Sequence, residues 1–193
     1  VGISLKRFEF AERVFSGSIG TLCHLTPRKR VYDLILAFSD ILKGVPALQL
    51  RVAGDADPAY LDHYEALRRL VRQLGIEANV RFDGAIAEPW KWYPQIDIFV
   101  SHSYSEGLQV APMEAMATGC HTLSHAWDGA DELVPPDCLY LSDAELAQKV
   151  EMFCNAPEGE RARQRQRMRA LAMDRFDAER ASERIGEIIA RSA

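Results

Sequence analysis

Glu106 and Glu114 stand eight residues apart in SYSEGLQVAPMEAMATGC, residues 103–120. From residue 110 to 120 the remaining side chains are small or apolar, as in a helix buried against a sheet. A carboxylate buried there without partners costs several kcal/mol, so Glu114 must either reach a cleft or pair with a basic side chain. In a cleft it could take the two hydroxyls of a vicinal diol, such as that of a ribose, on its two oxygens. Glu106 lies in the loop before the helix. It either faces a group beside bound phosphates or is an exposed loop residue interacting with the helix dipole. Gly107 lets the backbone approach a ligand closely. The N–H groups of Gly107, Leu108, Gln109 and Val110 would form an anion site at the helix start.

A second candidate anion site is Thr26-Pro27-Arg28-Lys29-Arg30, just after His24. Three consecutive cations ahead of a helix can cradle a pyrophosphate, and the same run also suits a solvated loop. No Walker-type lysine motif is present, and Gly17-x-x-Gly20 is too weak a match to a dinucleotide fingerprint to use. His121 and His125 are four apart in a segment that reads as strand and loop, so they share no helical face and no metal site is expected.

The elements that must position these residues alternate short apolar runs with helical periods, the pattern of βαβ units and a parallel sheet. Strands are expected at residues 18–23, 48–53, 80–82, 96–101, 120–124 and 139–141, and helices at 31–42, 60–74 and 110–118. The second helix should stop at Gly75. Everything from residue 143 onward reads as helix, with Arg161, Arg163, Arg165, Arg167 and Arg169 spread around a solvated surface. In such a sheet ligands bind beyond the carboxyl ends of the strands. The loops at residues 23–30, 54–55, 83–86, 101–108 and 124–129 should therefore line one cleft.

The chain has 193 residues, 48% of them apolar and 26% charged, as expected of one ordinary globular domain with an appended helical tail. A net charge of −5 leaves no broad cationic surface for nucleic acid or an anionic bilayer. The four cysteines are far apart and read as reduced, mostly buried thiols of a cytoplasmic protein. No apolar run reaches the length of a membrane span, and the start lacks a signal peptide's apolar stretch and an initiating Met, as in a fragment of a longer chain.

At these residues the chain resembles the C-terminal, donor-binding domain of family 4 retaining glycosyltransferases of the GT-B fold. SHSYSEGLQVAPMEAMATGCH is similar to the family's Glu-x7-Glu stretch, and CHLTPRKRVYD resembles its GRLxPxKGxD phosphate loop. VAGDADP resembles IVGDGP, VRFDGAI resembles VxFxGxV, and residues 92–100 resemble WYxxxDIFV. DGADELV and DRFDAERASERIGEI are similar to later segments, and VGISLKRF to the interdomain crossover. Residues 1–15 are then a linker remnant, 16–157 a Rossmann-like α/β domain with helices on both faces of a parallel sheet, and 158–193 C-terminal helices packed on it. The N-terminal acceptor domain is absent.

The resemblance implies Glu106 and Lys29 as catalytic residues. Glu106 would touch the donor sugar's hydroxyls, and Lys29 with the helix amides would neutralise the diphosphate. Glu114 would bind the ribose, and Arg28, His24 and Gly54 would line the donor site. Gly84, Ala85 and Ile86 would face the base. His24 replaces the family's usual phosphate arginine, His102 and His121 replace common prolines, and Gln109 stands where glycine is frequent. The substrate implied is a UDP- or GDP-sugar with a hexose-type group, the acceptor a glycan or lipid, with neither cofactor nor metal. Membrane contact would come only through the absent half. The alternatives are the same half of a sugar-nucleotide epimerase or phosphorylase, or a non-catalytic nucleotide-binding domain.

Overall fold

The computed structural model describes residues 2–56 and 58–192, with side chains described to residue 190. Val1, Asp57 and Ala193, which belong to the expected linker, the 52–58 loop and the tail, lie outside the described residues. Six parallel strands, β1 (Ser18–Leu22), β2 (Gln49–Ala53), β3 (Val80–Gly84), β4 (Ile98–Ser101), β5 (His121–His125) and β6 (Leu139–Tyr140), form one sheet in the order β3-β2-β1-β4-β5-β6. Central β4 is buried along its whole length, which explains the apolar run of residues 98–100. In register, Ile19 lies beside Ile98 and Val100 beside Leu123.

The helices are α1 (Val31–Gly44), α2 (Leu61–Leu74), α3 (Pro89–Trp92), α4 (Val110–Ala117), α5 (Ala130–Leu133), α6 (Asp143–Asn155), α7 (Glu158–Arg175) and α8 (Ala178–Ser192). α1 packs on α2 and α6, and α4 on α7. α2 ends as expected at Gly75, whose left-handed backbone (φ 68°) lets its N–H close the last turn on Arg72.

Three strand starts differ from the sequence expectation, that of β2 only by Leu48. Ile96 and Asp97 belong to the turn before β4, where the buried Asp97 carboxylate accepts hydrogen bonds from Ser16 N, Ser16 Oγ and Ser18 N at 2.8–3.0 Å. Cys120 precedes β5, its N–H returning to the Ala115 carbonyl. α5 was not legible as a helix at all, being only four residues long.

The arginines of α7 are not all solvated, although Arg163 and Arg167 are exposed. Arg165 is buried beside Glu158 and the Arg13 carbonyl, Arg169 donates to the carbonyls of Phe8 and Ala117, and Arg167 grips Asp137 through two bonds. They tie the opening segment and α4 to the helical tail. Ile3 also pairs with that tail, donating to Phe176 O and accepting from Ala178 N. Among the described residues no helix is long and apolar enough to cross a membrane.

Candidate functional site

Strand order reverses at the β1/β4 pair. β1 leads outward through β2 to β3, and β4 leads the other way through β5 to β6. Crossovers of one hand then place α1 and α4 on opposite faces, so the loops leaving β1 and β4 diverge above a crevice. A cleft of about 380 Å³ lies there, lined by His24, Lys29, Glu106, Leu108, Gln109, Val110 and Glu114. Topology thus unites two stretches that are some 75 residues apart in sequence.

Glu106 sits between the two loops. Lys29 Nζ is 2.6 Å from its Oε1 and Arg28 Nη1 is 3.1 Å from its Oε2, with Arg28 also donating to Ser105 O at 2.9 Å. The Glu106 side chain is 7% exposed. Burial works against its charge, but hydrogen bonds from Lys29 and Ser103, the Lys29 charge and a hydrogen bond from Gln109 prevail, so Glu106 titrates below the ordinary carboxylate value. Arg30 faces elsewhere. Its guanidinium lies 4.3 Å over the Tyr104 ring and its Nε bonds Asp33 at 2.8 Å. Its backbone is left-handed (φ 54°), at the position where the resembling phosphate loop carries glycine.

The N–H groups of residues 107–110 find no acceptor among the described residues, which leaves the start of α4 open to an anion. Gly107 is not among the cleft-lining residues, and a Cβ there would meet nothing within 4 Å. Gln109 turns down instead, accepting from Ser101 Oγ at 2.8 Å and reaching Ser103 Oγ at 3.4 Å.

Glu114 both lines the cleft and is paired, though not with a basic side chain. The hydroxyl of Tyr93 donates to its Oε2 at 3.0 Å. Burial raises the Glu114 pKa above its ordinary value, against the Tyr93 hydrogen bond and the charge of Arg7. The helical face expected to meet the sheet is divided. Val110 and Glu114 front the cleft, whereas Ala117 is buried.

A second hollow of about 290 Å³ adjoins the first through Leu22, Cys23 and His24, and adds Gly54, Asp55, Ala85 and Ile86. Gly54 is required sterically: with φ 131° its missing Cβ would fall 1.7 Å from the Cys23 carbonyl oxygen. Its N–H bonds Gly84 O at 2.8 Å, which joins the loops after β2 and β3. Residues 124–129, expected in the same cleft, line neither hollow, because the loop after β5 turns toward β6 as Ala126 N bonds Tyr140 O.

His102 was seen in the sequence only as a departure from a family pattern, yet it lines the cleft. Its Nδ1 lies 2.8 Å from Tyr140 Oη, which itself donates to Ser101 O. Burial lowers the pKa of His102 to about 4, so the ring is neutral at pH 7. Tyr93 was not read as a site residue. Its one signal was as the Tyr of the WYxxxDIFV resemblance, 21 residues before Glu114, and that pattern does not say which group its hydroxyl meets.

This architecture is that of the C-terminal half of a GT-B glycosyltransferase. The chain belongs to the family described as "Glycosyl transferases group 1", whose sequence profile matches residues 16–155. It is 30% identical over 132 residues to the alpha-monoglucosyldiacylglycerol synthase of Streptococcus pneumoniae, covering 66% of this chain and 29% of that protein. The C-terminal domain of the group 1 glycosyl transferase LpcC from Francisella tularensis superposes with a TM-score of 0.81 at 26% identity, over 92% of this chain and all of that domain. HepE of Anabaena, solved with UDP and glucose, shares the fold at a TM-score of 0.87 and 22% identity, over 98% of this chain and 55% of its own. The chain thus spans about a third or less of the curated relatives it matches and about half of HepE.

Proposed function

We propose that this chain is the donor half of a family 4 retaining glycosyltransferase that moves a hexose-type sugar from a UDP- or GDP-sugar to a glycan or lipid-linked acceptor, without a metal. The observation that carries this reading is the convergence of Lys29, Glu106, Glu114 and the open start of α4 on one cleft at the strand-order switch. The UDP and glucose bound to HepE support it.

The donor diphosphate lies between Lys29 and the amides of residues 107–110. As the anomeric carbon–oxygen bond breaks, its electron pair stays with the departing diphosphate, and these fixed positive groups stabilise the growing charge. Lys29 transfers from Glu106 to phosphate, which frees the Glu106 carboxylate for the sugar's hydroxyls. The acceptor hydroxyl attacks the face that the diphosphate leaves, without a protein nucleophile, and its proton passes to the departing phosphate oxygen. Glu114 holds the ribose, and residues 84–86 lie against the base. The acceptor site and a catalytic histidine belong to an N-terminal domain, so this chain alone binds donor and transfers little or nothing. The protein works in the cytoplasm, and any membrane contact is through that other half.

Calorimetry with UDP, GDP and their sugars in magnesium-free buffer tests the reading. Binding of at least one, weakened by Glu114→Ala, is expected. No heat across the panel would overturn it. Joining a matching N-terminal domain should restore transfer.

A further inference from the structure

Tyr93 is fully buried, and its ring is fixed by edge contacts with Trp92, Phe8 and Phe99 at centroid distances of 5.4, 6.1 and 5.8 Å. Its backbone carbonyl accepts from Cys120 Sγ, which anchors the residue from below. A phenol sealed from water needs a hydrogen-bond partner, and the usual choice is a carbonyl in the core. Tyr93 instead sends its hydroxyl to Glu114, a half-buried carboxylate on the wall of the candidate site. Burial raises the Tyr93 pKa well above 10, so the hydroxyl stays a donor at any working pH.

The last torsion of a glutamate is broad and nearly two-fold, so a free carboxylate samples many planes. A bond from an immobile phenol to one oxygen selects among them. A carboxylate has about four lone-pair positions, and Tyr93 occupies one, which leaves enough on the cleft side for two donors. From Arg7, stacked 4.1 Å above Trp90, the carboxylate feels only charge, with no bond that could set its plane.

We infer that Tyr93 is a positioning residue that presets the plane of the Glu114 carboxylate for a cis-diol, and so makes the site select a ribonucleotide over its 2′-deoxy counterpart. This rests on the reading of Glu114 as the ribose ligand. The 2′-deoxy compound leaves one carboxylate lone pair unpaired against the ligand, and a site built for a hydroxyl penalises its loss. The phenol acts before binding, by removing the orientations in which Glu114 could bond only one hydroxyl.

The test is calorimetric titration of UDP and 2′-deoxy-UDP into the unaltered chain, Tyr93→Phe, Glu114→Gln and Glu114→Asp. The unaltered chain should prefer UDP by about tenfold or more, the scale of a hydrogen bond to a charged group. Tyr93→Phe keeps the packing, and its preference should fall to about threefold or less, while a purely structural tyrosine would leave the ratio unmoved. Glu114→Asp keeps the charge but withdraws the carboxylate by one methylene from the Tyr93 hydroxyl, so its ratio should collapse to that of Glu114→Gln even if Tyr93→Phe does not fold. A full preference surviving in a folded Tyr93→Phe, or in Glu114→Asp, refutes the positioning role and leaves Glu114 as the ribose ligand. An unchanged preference in Glu114→Gln refutes the ribose assignment itself, and the inference with it.

Discussion

Glu106 and Glu114 belong to one stretch of chain and one cleft, yet the fold holds them by opposite means. Glu106 sits between loops, its oxygens bonded by Lys29 and by the largely exposed Arg28. Glu114 sits on a helix and is bonded by a phenol with no exposure at all. Partners of the first kind are cations that a diphosphate can claim, so on the proposed reading that end of the site exchanges its bonds when donor arrives. A partner of the second kind is useless to a phosphate, so that end is set in advance. On the proposed reading, the difference puts bond exchange at the end where the glycosidic bond would break and rigidity at the end that would hold the ribose.

The largest test of this contrast is Lys29→Ala in the chain fused to a matching N-terminal domain. Loss of a preorganised cation at a developing oxyanion should lower the transfer rate about 10²- to 10³-fold, well beyond its effect on donor affinity. Initial rates at saturating donor measure it, and a loss confined to affinity would place Lys29 outside the bond-breaking step. Glu114→Ala should show the converse. UDP affinity of the isolated chain should drop about 10- to 100-fold, read by calorimetry, because hydrogen bonds to a charged group disappear.

Acid titration should separate the two carboxylates. Glu114, raised by burial, takes its proton first as pH falls, starting above the ordinary value of 4.5, while Glu106, lowered by its partners, remains charged. Nucleotide affinity should therefore weaken across that upper window in the unaltered chain. The same titration of Glu114→Gln isolates this effect from protonation of the ligand. For stability the signs are opposed. Glu106 contributes stability above its unfolded pKa that is lost only as pH falls through its lowered folded value. Glu114 costs stability once it ionises, so Glu114→Gln should melt at a temperature no lower than the unaltered chain at pH 7. A lower one would mean that its charge is stabilising where it sits.

Most of this fold was legible because a buried parallel strand and an amphipathic helix impose different spacings on apolar residues. β4 and α2 were found within two residues on that ground. The loops that flank the crevice followed from the strand-then-helix alternation, and with them Lys29, Glu106 and Gln109. What could not be read was pairing across long separations. Tyr93 and Glu114 are 21 residues apart on different elements, and nothing in an aromatic residue's surroundings announces which acid its hydroxyl will meet. The same limit explains α7, where alternating arginines look solvated until the carbonyls and carboxylates beside them are known. Gly54 appeared as a loop glycine of the donor site, yet its lack of a side chain is demanded by the Cys23 carbonyl.

The smallest effect sharpens the contrast within the loop pair itself. Arg28 and Lys29 both bond Glu106, but the Arg28 side chain is 54% exposed and that of Lys29 only 16%. Solvent screens the outer pair, so Arg28→Ala should cost less than about 1 kcal/mol of stability and less still in high salt. The inner pair lies where water is largely excluded, so Lys29→Ala should cost more and respond less to salt. Thermal melts of both variants at low and high ionic strength decide it. Equal losses with equal salt dependence would show that the two cations form one exposed cluster, and then neither is set apart to change hands between carboxylate and diphosphate.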